Sequence, residues 1–286
     1  MNPIKLISLQ ELSNNDLVSH KLLYTHQSKE NKESWVTPFT PYRSSYYAFA
    51  LCIRGHATFQ VNLQEFKIVK GSLIFVKNND IKQWFHRSED YETYTILFEK
   101  EAILNAVGNQ VFEQDFDFFN KGIVVSLTQT QQKKLKTQFE QFGKLYATFS
   151  KFQNQQLAHY LAIMLYSTAE LTVNQEQSYK TSRSKQITND FIKLASKYVI
   201  NERNLDFYSQ QIGLSKKHLS ETIKSELNKT ASQILGEYLL LEAKVMLNET
   251  TLTIEEIAFH LNFNDSSAFN KFFKRHTGLT PKSYRN

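Results

Sequence analysis

The stretch FNDSSAFNKFFKRH, residues 263–276, combines phenylalanines with lysines and an arginine in one predicted helix. At 100° per residue, Phe269, Phe272 and Phe273 fall on one side of that helix. The other side carries polar and basic side chains: Asn270, Lys271, Lys274 and Arg275. The pattern predicts a helix that buries its aromatic side in its own domain and offers its basic side to a partner.

A weak internal repeat places a second copy of this arrangement earlier in the chain. Residues 205–214 align with residues 254–263, and beyond an extra residue in the second turn Leu219 aligns with Phe269. Each copy has the pattern of a short helix, a tight turn and a second helix. This is the helix-turn-helix arrangement, in which the second helix enters a groove of DNA.

Turn and capping residues stand where this arrangement needs them. Gly213 and Asn262 occupy the two turns, where glycine and, less readily, asparagine adopt a left-handed conformation. Ser215 and Asp265 stand at the N-cap positions of the second helices. The local chemistry therefore supports two helix-turn-helix units.

The free face of each second helix is suited to DNA. In the second unit, Asn270 and Lys271 are predicted to face base edges, with Lys274 or Arg275 at phosphates. The free face of the first unit carries Lys217, Ser220, Glu221 and Lys224. A carboxylate repels phosphates but accepts a hydrogen bond from cytosine N4, so Glu221 would supply discrimination.

Exposed polar faces of this kind are also common on helices that bind nothing. The presence of two copies favours the DNA interpretation. Between them, TASQILGEYLLLEAKVMLN (230–248) predicts a long apolar helix that holds the units at a fixed separation. Two recognition helices about 34 Å apart could read successive major grooves on one face of DNA.

Residues 46–98 show the pattern of consecutive antiparallel strands. Short runs rich in Phe, Tyr, Val and Ile are broken by turn signals at residues 54–56, 69–71 and 77–80. Because isolated hairpins are marginally stable, these strands are expected to close into a small barrel or sandwich. The phenylalanine side chains are predicted to line its interior.

Residues 127–171 change to a helical period. Large side chains recur at alternating intervals of four and three residues: Leu135, Phe139, Phe142, Tyr146 and Phe149. A second helix follows within residues 155–171. These helices either pack on the strands of their own chain or form a dimerisation surface, and the two uses do not exclude each other. Residues 174–186 are polar and are predicted to be a linker.

The whole chain of 286 residues is expected to hold one or two folded domains. Its single cysteine, Cys52, excludes an internal disulfide and lies in an apolar run, so it is predicted to be a buried packing residue. The net charge of +6 permits nucleic acid as a partner without establishing it. With no signal-peptide pattern and no run of 18 apolar residues, a cytoplasmic protein is expected.

Residues 242–285 resemble the signature of the AraC/XylS family of bacterial transcription regulators, most specifically in GLTPKSYR (278–285) with FFK ahead of it. The resemblance extends over residues 185–286. Upstream, residues 46–76 look like the cupin-type sensing barrel that such regulators often carry. The resemblance implies a transcription regulator, an activator or a repressor, that binds double-stranded DNA as a homodimer, contacts RNA polymerase and responds to a small-molecule effector.

The implied architecture is α+β. A cupin-like antiparallel β-barrel (1–126) is followed by a helical dimerisation element (127–173), the linker and an all-α double helix-turn-helix domain (187–286).

Carried over residue by residue, the family's base-reading positions fall on Lys217, Ser220, Glu221, Ser266, Asn270 and Lys271. Its backbone-contacting positions fall on Lys216, Lys224, Thr253, Ser267, Lys274 and Arg275. The sequence departs from the family pattern at Ser209, Asn262 and Tyr238, where the family commonly has Ala, Gly and Arg. Tyr238 bears on how the two halves of the domain are oriented.

Two other classes of protein compete with this interpretation. Many cupins bind a metal through a His-x-His pair, but His56 and His86 are lone histidines, so structural or surface roles are favoured and no metal ligand or cofactor is assigned. No phosphate-binding loop or nucleophile pattern occurs, and the protein is not expected to be an enzyme. An architectural DNA binder without a ligand would show little sequence preference.

Trp84, Phe49 and Phe59 could line an effector site, although core packing also explains them.

Overall fold

A computed structural model of the chain describes residues 7–12, 21–28, 40–108, 124–176 and 182–285. The chain divides into two compact units between residues 178 and 179. This division lies within the predicted linker, residues 174–186. Helices enter that segment from both sides, because α4 ends at Glu176 and α5 begins at Arg183.

The first unit is built on antiparallel strands. Their bounds are β1 (Leu22–Gln27), β2 (Tyr47–Arg54), β3 (His56–Val61), β4 (Gln64–Val69), β5 (Ser72–Val76), β6 (Lys82–Arg87), β7 (Glu92–Phe98) and β8 (Val124–Ser126). The larger sheet has the order β1-β7-β2-β5-β8, and the smaller sheet has the order β4-β3-β6. The expected antiparallel β domain is confirmed.

The predicted turns are confirmed, and positive φ angles explain their residues. Gly55 (φ 72°) separates β2 from β3, Gly71 (φ 85°) separates β4 from β5, and Asn79 (φ 62°) lies between β5 and β6. A further turn at Asn62 (φ 53°) joins β3 to β4. These are conformations that glycine and asparagine adopt at the lowest cost.

The two sheets enclose an apolar layer that includes Phe59 and Cys52. Cys52 is fully buried, as predicted, and burial raises the pKa of its thiol to about 11. The prediction that phenylalanines line this interior is wrong for Phe49, Phe75 and Phe98. They lie on the other face of the larger sheet, in the cluster that packs against helices, because that sheet is buried on both faces.

Helices α2 (Glu101–Val107), α3 (Gln129–Ala147) and α4 (Gln153–Glu176) cover this outer face of the larger sheet. The short helix α1 (Leu9–Leu12) packs elsewhere, through Leu9, in a cluster with Leu23, Tyr46 and Leu97. Phe139 of α3 stacks on Phe49 with ring centroids 5.1 Å apart. The predicted seam is buried at Leu135, Phe139 and Phe142 and half-buried at Tyr146. It does not include Phe149, which lies beyond α3 and is 92% exposed. Packing on the chain's own sheet is thus observed, and dimerisation stays a prediction.

The second unit is all-α. Its helices are α5 (Arg183–Tyr198), α6 (Leu205–Ile212), α7 (Lys216–Leu227), α8 (Ala231–Glu249), α9 (Ile254–His260), α10 (Ser266–Thr277) and α11 (Pro281–Arg285). Helices α5, α6 and α7 pack together, as do α9, α10 and α11, and the long helix α8 contacts members of both groups. The predicted pair of helix-turn-helix units, α6–α7 and α9–α10, is confirmed together with its connecting helix.

Candidate nucleic-acid interface

The first helix-turn-helix unit, α6–α7, positions helix α7 through a turn and a cap. Gly213 ends α6 in the left-handed conformation, with φ 73°. The Ser215 hydroxyl then accepts a hydrogen bond from the backbone N–H of His218 at 3.2 Å, which satisfies an otherwise unpaired donor at the start of α7. Leu219 and Ile223 are fully buried and fix the helix to α5 and α8.

The second helix-turn-helix unit, α9–α10, repeats this construction with different residues. Asn262 adopts φ 59° in the turn, and the Asp265 carboxylate accepts from the backbone N–H of Ala268 at 2.7 Å. Phe269 and Phe273 are fully buried at the positions equivalent to Leu219 and Ile223. Phe272 is half-buried and packs on Phe263, with ring centroids 5.2 Å apart. The aromatic side of the opening stretch therefore anchors α10, as its periodicity predicts.

The opposite faces of α7 and α10 are open. Most of the predicted DNA-contacting side chains are exposed: Lys216, Lys217, Glu221, Lys224, Thr253, Ser267, Lys271, Lys274 and Arg275. Ser220, Ser266 and Asn270 are half-buried beside them. The cations at Lys217, Lys224 and Lys271 form no ion pair within the described residues. The two faces thus offer positive charge that DNA phosphates can neutralise.

Three of the predicted contacts, at Lys216, Asn270 and Thr253, are engaged within the protein. Lys216 pairs with Asp206, with Nζ 3.1 Å from Oδ2, and both side chains are about half exposed. Asn270 donates from Nδ2 to the backbone carbonyl of Ser266 at 2.8 Å. The amide keeps a second N–H and its Oδ1, so Asn270 can still donate to adenine N7 and accept from adenine N6. Lys216 would exchange a carboxylate for a phosphate.

Thr253 caps α9 through a reciprocal pair of hydrogen bonds. Its hydroxyl accepts from the backbone N–H of Glu256 at 3.2 Å, and Glu256 accepts from the backbone N–H of Thr253 at 2.7 Å. These bonds hold the pKa of the Glu256 carboxyl below its usual range. The Thr253 hydroxyl is therefore committed to the cap, and a DNA phosphate would meet the helix end rather than a free hydroxyl.

Arg203 is a residue that sequence reasoning missed. It lies in the loop before α6, and its guanidinium donates to the backbone carbonyls of Leu261 and Asn262 in the turn of the second unit. It also stacks over the Phe263 ring, 4.6 Å from the centroid. A lone arginine in a loop gives no local signal of a contact with residues about 60 positions away.

The strand domain, which is the N-terminal unit, contains a cavity between its two sheets, with a volume of about 70 Å³. Trp84 and Phe59 line it, as the sequence suggested, whereas Phe49 lies on the other face of the sheet. His56 and His86 are both exposed, with ring centroids 5.4 Å apart. Within the described part of the chain, no group of three His, Cys, Asp or Glu side chains could hold a metal ion.

Comparisons with known proteins agree with this construction. The family model described as a helix-turn-helix domain matches residues 208–286. The chain is 22% identical to the HTH-type transcriptional activator RhaR of Salmonella dublin, over 86% of this chain and 87% of that protein. It is also 22% identical to the HTH-type transcriptional activator RhaS of Escherichia coli O157:H7, with the same shares covered.

One solved structure is similar to part of this chain. It is that of a transcriptional regulator from Chromobacterium violaceum described by its AraC-type DNA-binding domain. This chain is 22% identical to it over 36% of its own length and 91% of the other, with a TM-score of 0.34.

Two helix-turn-helix units joined by one helix, together with activators as full-length relatives, define a DNA-binding transcription regulator. The resemblance of residues 242–285 to the AraC/XylS family agrees with the match of residues 208–286 to the helix-turn-helix model and with the similarity to RhaR and RhaS. Among the described residues, no helix is both long enough and apolar enough to span a membrane.

Proposed function

We propose that this protein activates transcription in the cytoplasm as a homodimer, with both helix-turn-helix units of each chain bound to successive major grooves. A small molecule held in the strand domain controls this binding. The helical element at residues 127–173 supplies the dimer contact, and a bound dimer contacts RNA polymerase.

The observation that carries the proposal is the matched construction of α7 and α10. Each helix is capped by a side chain, anchored by two fully buried apolar residues and open on the opposite face. A lone helix of this kind would be unremarkable, but a duplicated one joined by α8 has the form of a two-site reader of DNA.

The assignment of individual contacts follows from exposure and position along the helices. We assign base reading to Lys217, Ser220, Glu221, Ser266, Asn270 and Lys271. We assign backbone contacts to Lys216, Lys224, Thr253, Ser267, Lys274 and Arg275. Lys and Arg reach guanine O6 and N7 or phosphate oxygens, so the distinction between the two groups rests on where each helix meets the groove.

Control by a ligand requires that the ligand bind one arrangement of the dimer better than another. Ligand binding in the strand domain would change whether both DNA-binding domains can engage their sites together, and simultaneous engagement multiplies affinity. Equal DNA affinity with and without every bound ligand would contradict this part of the proposal.

The experiment that tests the proposal is selection from genomic DNA. Purified full-length protein is mixed with fragmented DNA from its source at physiological salt, and the retained fragments are sequenced. Retained fragments that share two boxes about one helical turn apart would support the proposal. Retention without sequence preference, with a steep salt dependence, would indicate an architectural binder instead.

A further inference from the structure

The cavity between the two sheets of the strand domain contains buried positive charge. Lys82, at the start of β6, lines the cavity and is 2% exposed. Its backbone N–H and carbonyl are both bonded to Tyr42, each at 2.9 Å, which fixes the residue in place. Burying an ammonium group without an opposite charge is strongly unfavourable, so its presence requires an explanation.

The protein neutralises Lys82 only weakly. Its ammonium group donates to the Ser44 hydroxyl and lies 5.2 Å from the centre of the Tyr46 ring. Asp80 favours the charged form, but it forms no ion pair with Lys82 in the described structure, and its carboxylate accepts from Asn62 at 2.9 Å. Burial outweighs this attraction and lowers the pKa of Lys82 to about 7.

A second cation and an unpaired donor line the same cavity. The Arg87 guanidinium lies over the Trp84 ring, 4.2 Å from its centroid. The Trp84 indole N–H is buried and has no hydrogen-bond partner among the described residues. Buried polar groups are nearly always paired in native proteins, so an unpaired N–H on a residue that lines the cavity together with two cations indicates a place for an acceptor.

The remaining lining of the cavity is neutral. It is made largely of aromatic and aliphatic side chains, and none of its described lining residues is Asp or Glu. The volume of about 70 Å³ is roughly half that of a 150 Å³ cavity known to hold benzene. Because the cavity is partly open rather than fully enclosed, it suits the carboxylate end of a short ligand whose remaining carbons extend toward the opening.

We propose that the cavity binds a small organic carboxylate, whose oxygens pair with Lys82 and Arg87 and accept from the Trp84 indole, while its short apolar part contacts the aromatic lining. This inference rests on the proposed control by a small molecule and assigns the chemical class of that ligand. Charge-assisted hydrogen bonds inside a protein are about twice as strong as neutral ones, so the charged oxygens would dominate recognition.

The test compares butanoate with butanamide, which has the same shape but no charge. Binding to the full-length protein is measured by calorimetry below pH 7, where Lys82 is protonated. The expected result is that butanoate binds at least about tenfold more tightly than butanamide. Lys82→Met should weaken butanoate binding and so reduce this preference, while Arg87 retains part of it.

Lys70→Met is the matched control. It removes the same charge from an exposed turn between β4 and β5, outside the cavity, and should leave the preference intact. The assignment is overturned if both compounds bind equally, if neither binds the wild-type protein, or if Lys82→Met binds butanoate as the wild type does.

A separate measurement distinguishes this inference from the proposed function. DNA affinity of the wild-type protein is determined with and without saturating butanoate. Butanoate binding with unchanged DNA affinity would support the carboxylate site and contradict ligand control of DNA binding. Failure to bind butanoate, with genomic fragments still selected specifically, would overturn the carboxylate site and leave the DNA-binding function standing.

Discussion

Arg203 donates a hydrogen bond from its guanidinium to the backbone carbonyl of Asn262, at 3.1 Å, and so joins the loop before the first helix-turn-helix unit to the turn of the second. The family commonly has arginine where this chain has Tyr238, which is buried in the connecting helix α8. A direct contact between the units therefore exists in this chain, in addition to their shared packing on α8.

Arg203→Ala should weaken binding to DNA with two boxes more than binding to DNA with one. Loss of the charged donor removes about 1.5–3 kcal/mol of interaction that fixes the units relative to each other, which corresponds to a loss of roughly tenfold or more in two-box affinity. Affinity for a single box should change little, because each recognition helix keeps its own cap and anchors. Titration of both DNA fragments measures the difference.

Arg203→Lys is the informative companion, since it keeps the charge but loses the planar fork that can reach two carbonyls. It should resemble Arg203→Ala in the two-box assay. Equal losses on one-box and two-box DNA would show that Arg203 supports the fold of one unit rather than the orientation of both.

Lys271→Ala and Lys274→Ala should have different effects on DNA selection, although both remove one exposed cation from α10. A base contact at Lys271 should cost about 1–3 kcal/mol and relax preference at one base pair. If Lys274 contacts a phosphate, its loss should weaken binding to all sequences alike. It should also reduce the slope of log affinity against log salt concentration by about 1. Binding to a library of operator variants at several salt concentrations separates the two. A uniform loss for Lys271→Ala would place that residue with the phosphate contacts.

The turns of the two units offer a test of local backbone strain. Gly213 has φ 73°, and a Cβ added there would meet nothing within 4 Å, so Gly213→Ala should cost about 1–2 kcal/mol through conformation alone. Asn262→Gly should stabilise the second unit by a smaller amount, because asparagine at φ 59° already tolerates this region in part. Hydrogen exchange of the amides in α6–α7 and α9–α10 measures each unit separately. A stabilised Gly213→Ala variant would contradict this explanation of the turn.

The sequence was most informative where structure is decided by neighbouring residues. The caps at Ser215 and Asp265 and the left-handed turns at Gly213 and Asn262 follow from local chemistry, and all of them were predicted. The repeat strengthened each prediction, because an error would have had to occur twice.

Contacts between distant parts of the chain could not be predicted in the same way. Arg203 reaches Asn262 only when the whole all-α domain is folded, and Lys82 is buried only because two sheets close over it. The alternation along β2 likewise did not show that Phe49 faces helices rather than the other sheet, since both faces of the larger sheet are apolar. Exposure of α7 and α10 was predictable, whereas the hydrogen bond that occupies Asn270 was not.

Lys82→Met should stabilise the strand domain, most strongly below pH 7. Burial lowers the pKa of Lys82 from 10.5 to about 7, so between these values the unfolded chain binds a proton that the folded chain does not. The contribution of Lys82 to stability therefore rises as the pH increases from 7 to 10.5, and its full unfavourable effect is present below pH 7. Removing the charge should raise the free energy of unfolding by about 1–4 kcal/mol there, and the gain should fall toward zero near pH 10.5.

Tryptophan fluorescence during urea unfolding reports this change, because both tryptophans of the chain lie in its N-terminal half. The groups facing Lys82 include Asp80, Arg43 and the phenols of Tyr42 and Tyr46, so the comparison is made between variant and wild type at each pH. Lys70→Met, which removes an exposed charge, should show no such trend. A Lys82→Met variant that is less stable than the wild type below pH 7 would mean that the ammonium group, through Ser44 and the Tyr46 ring, contributes more to the fold than its burial costs.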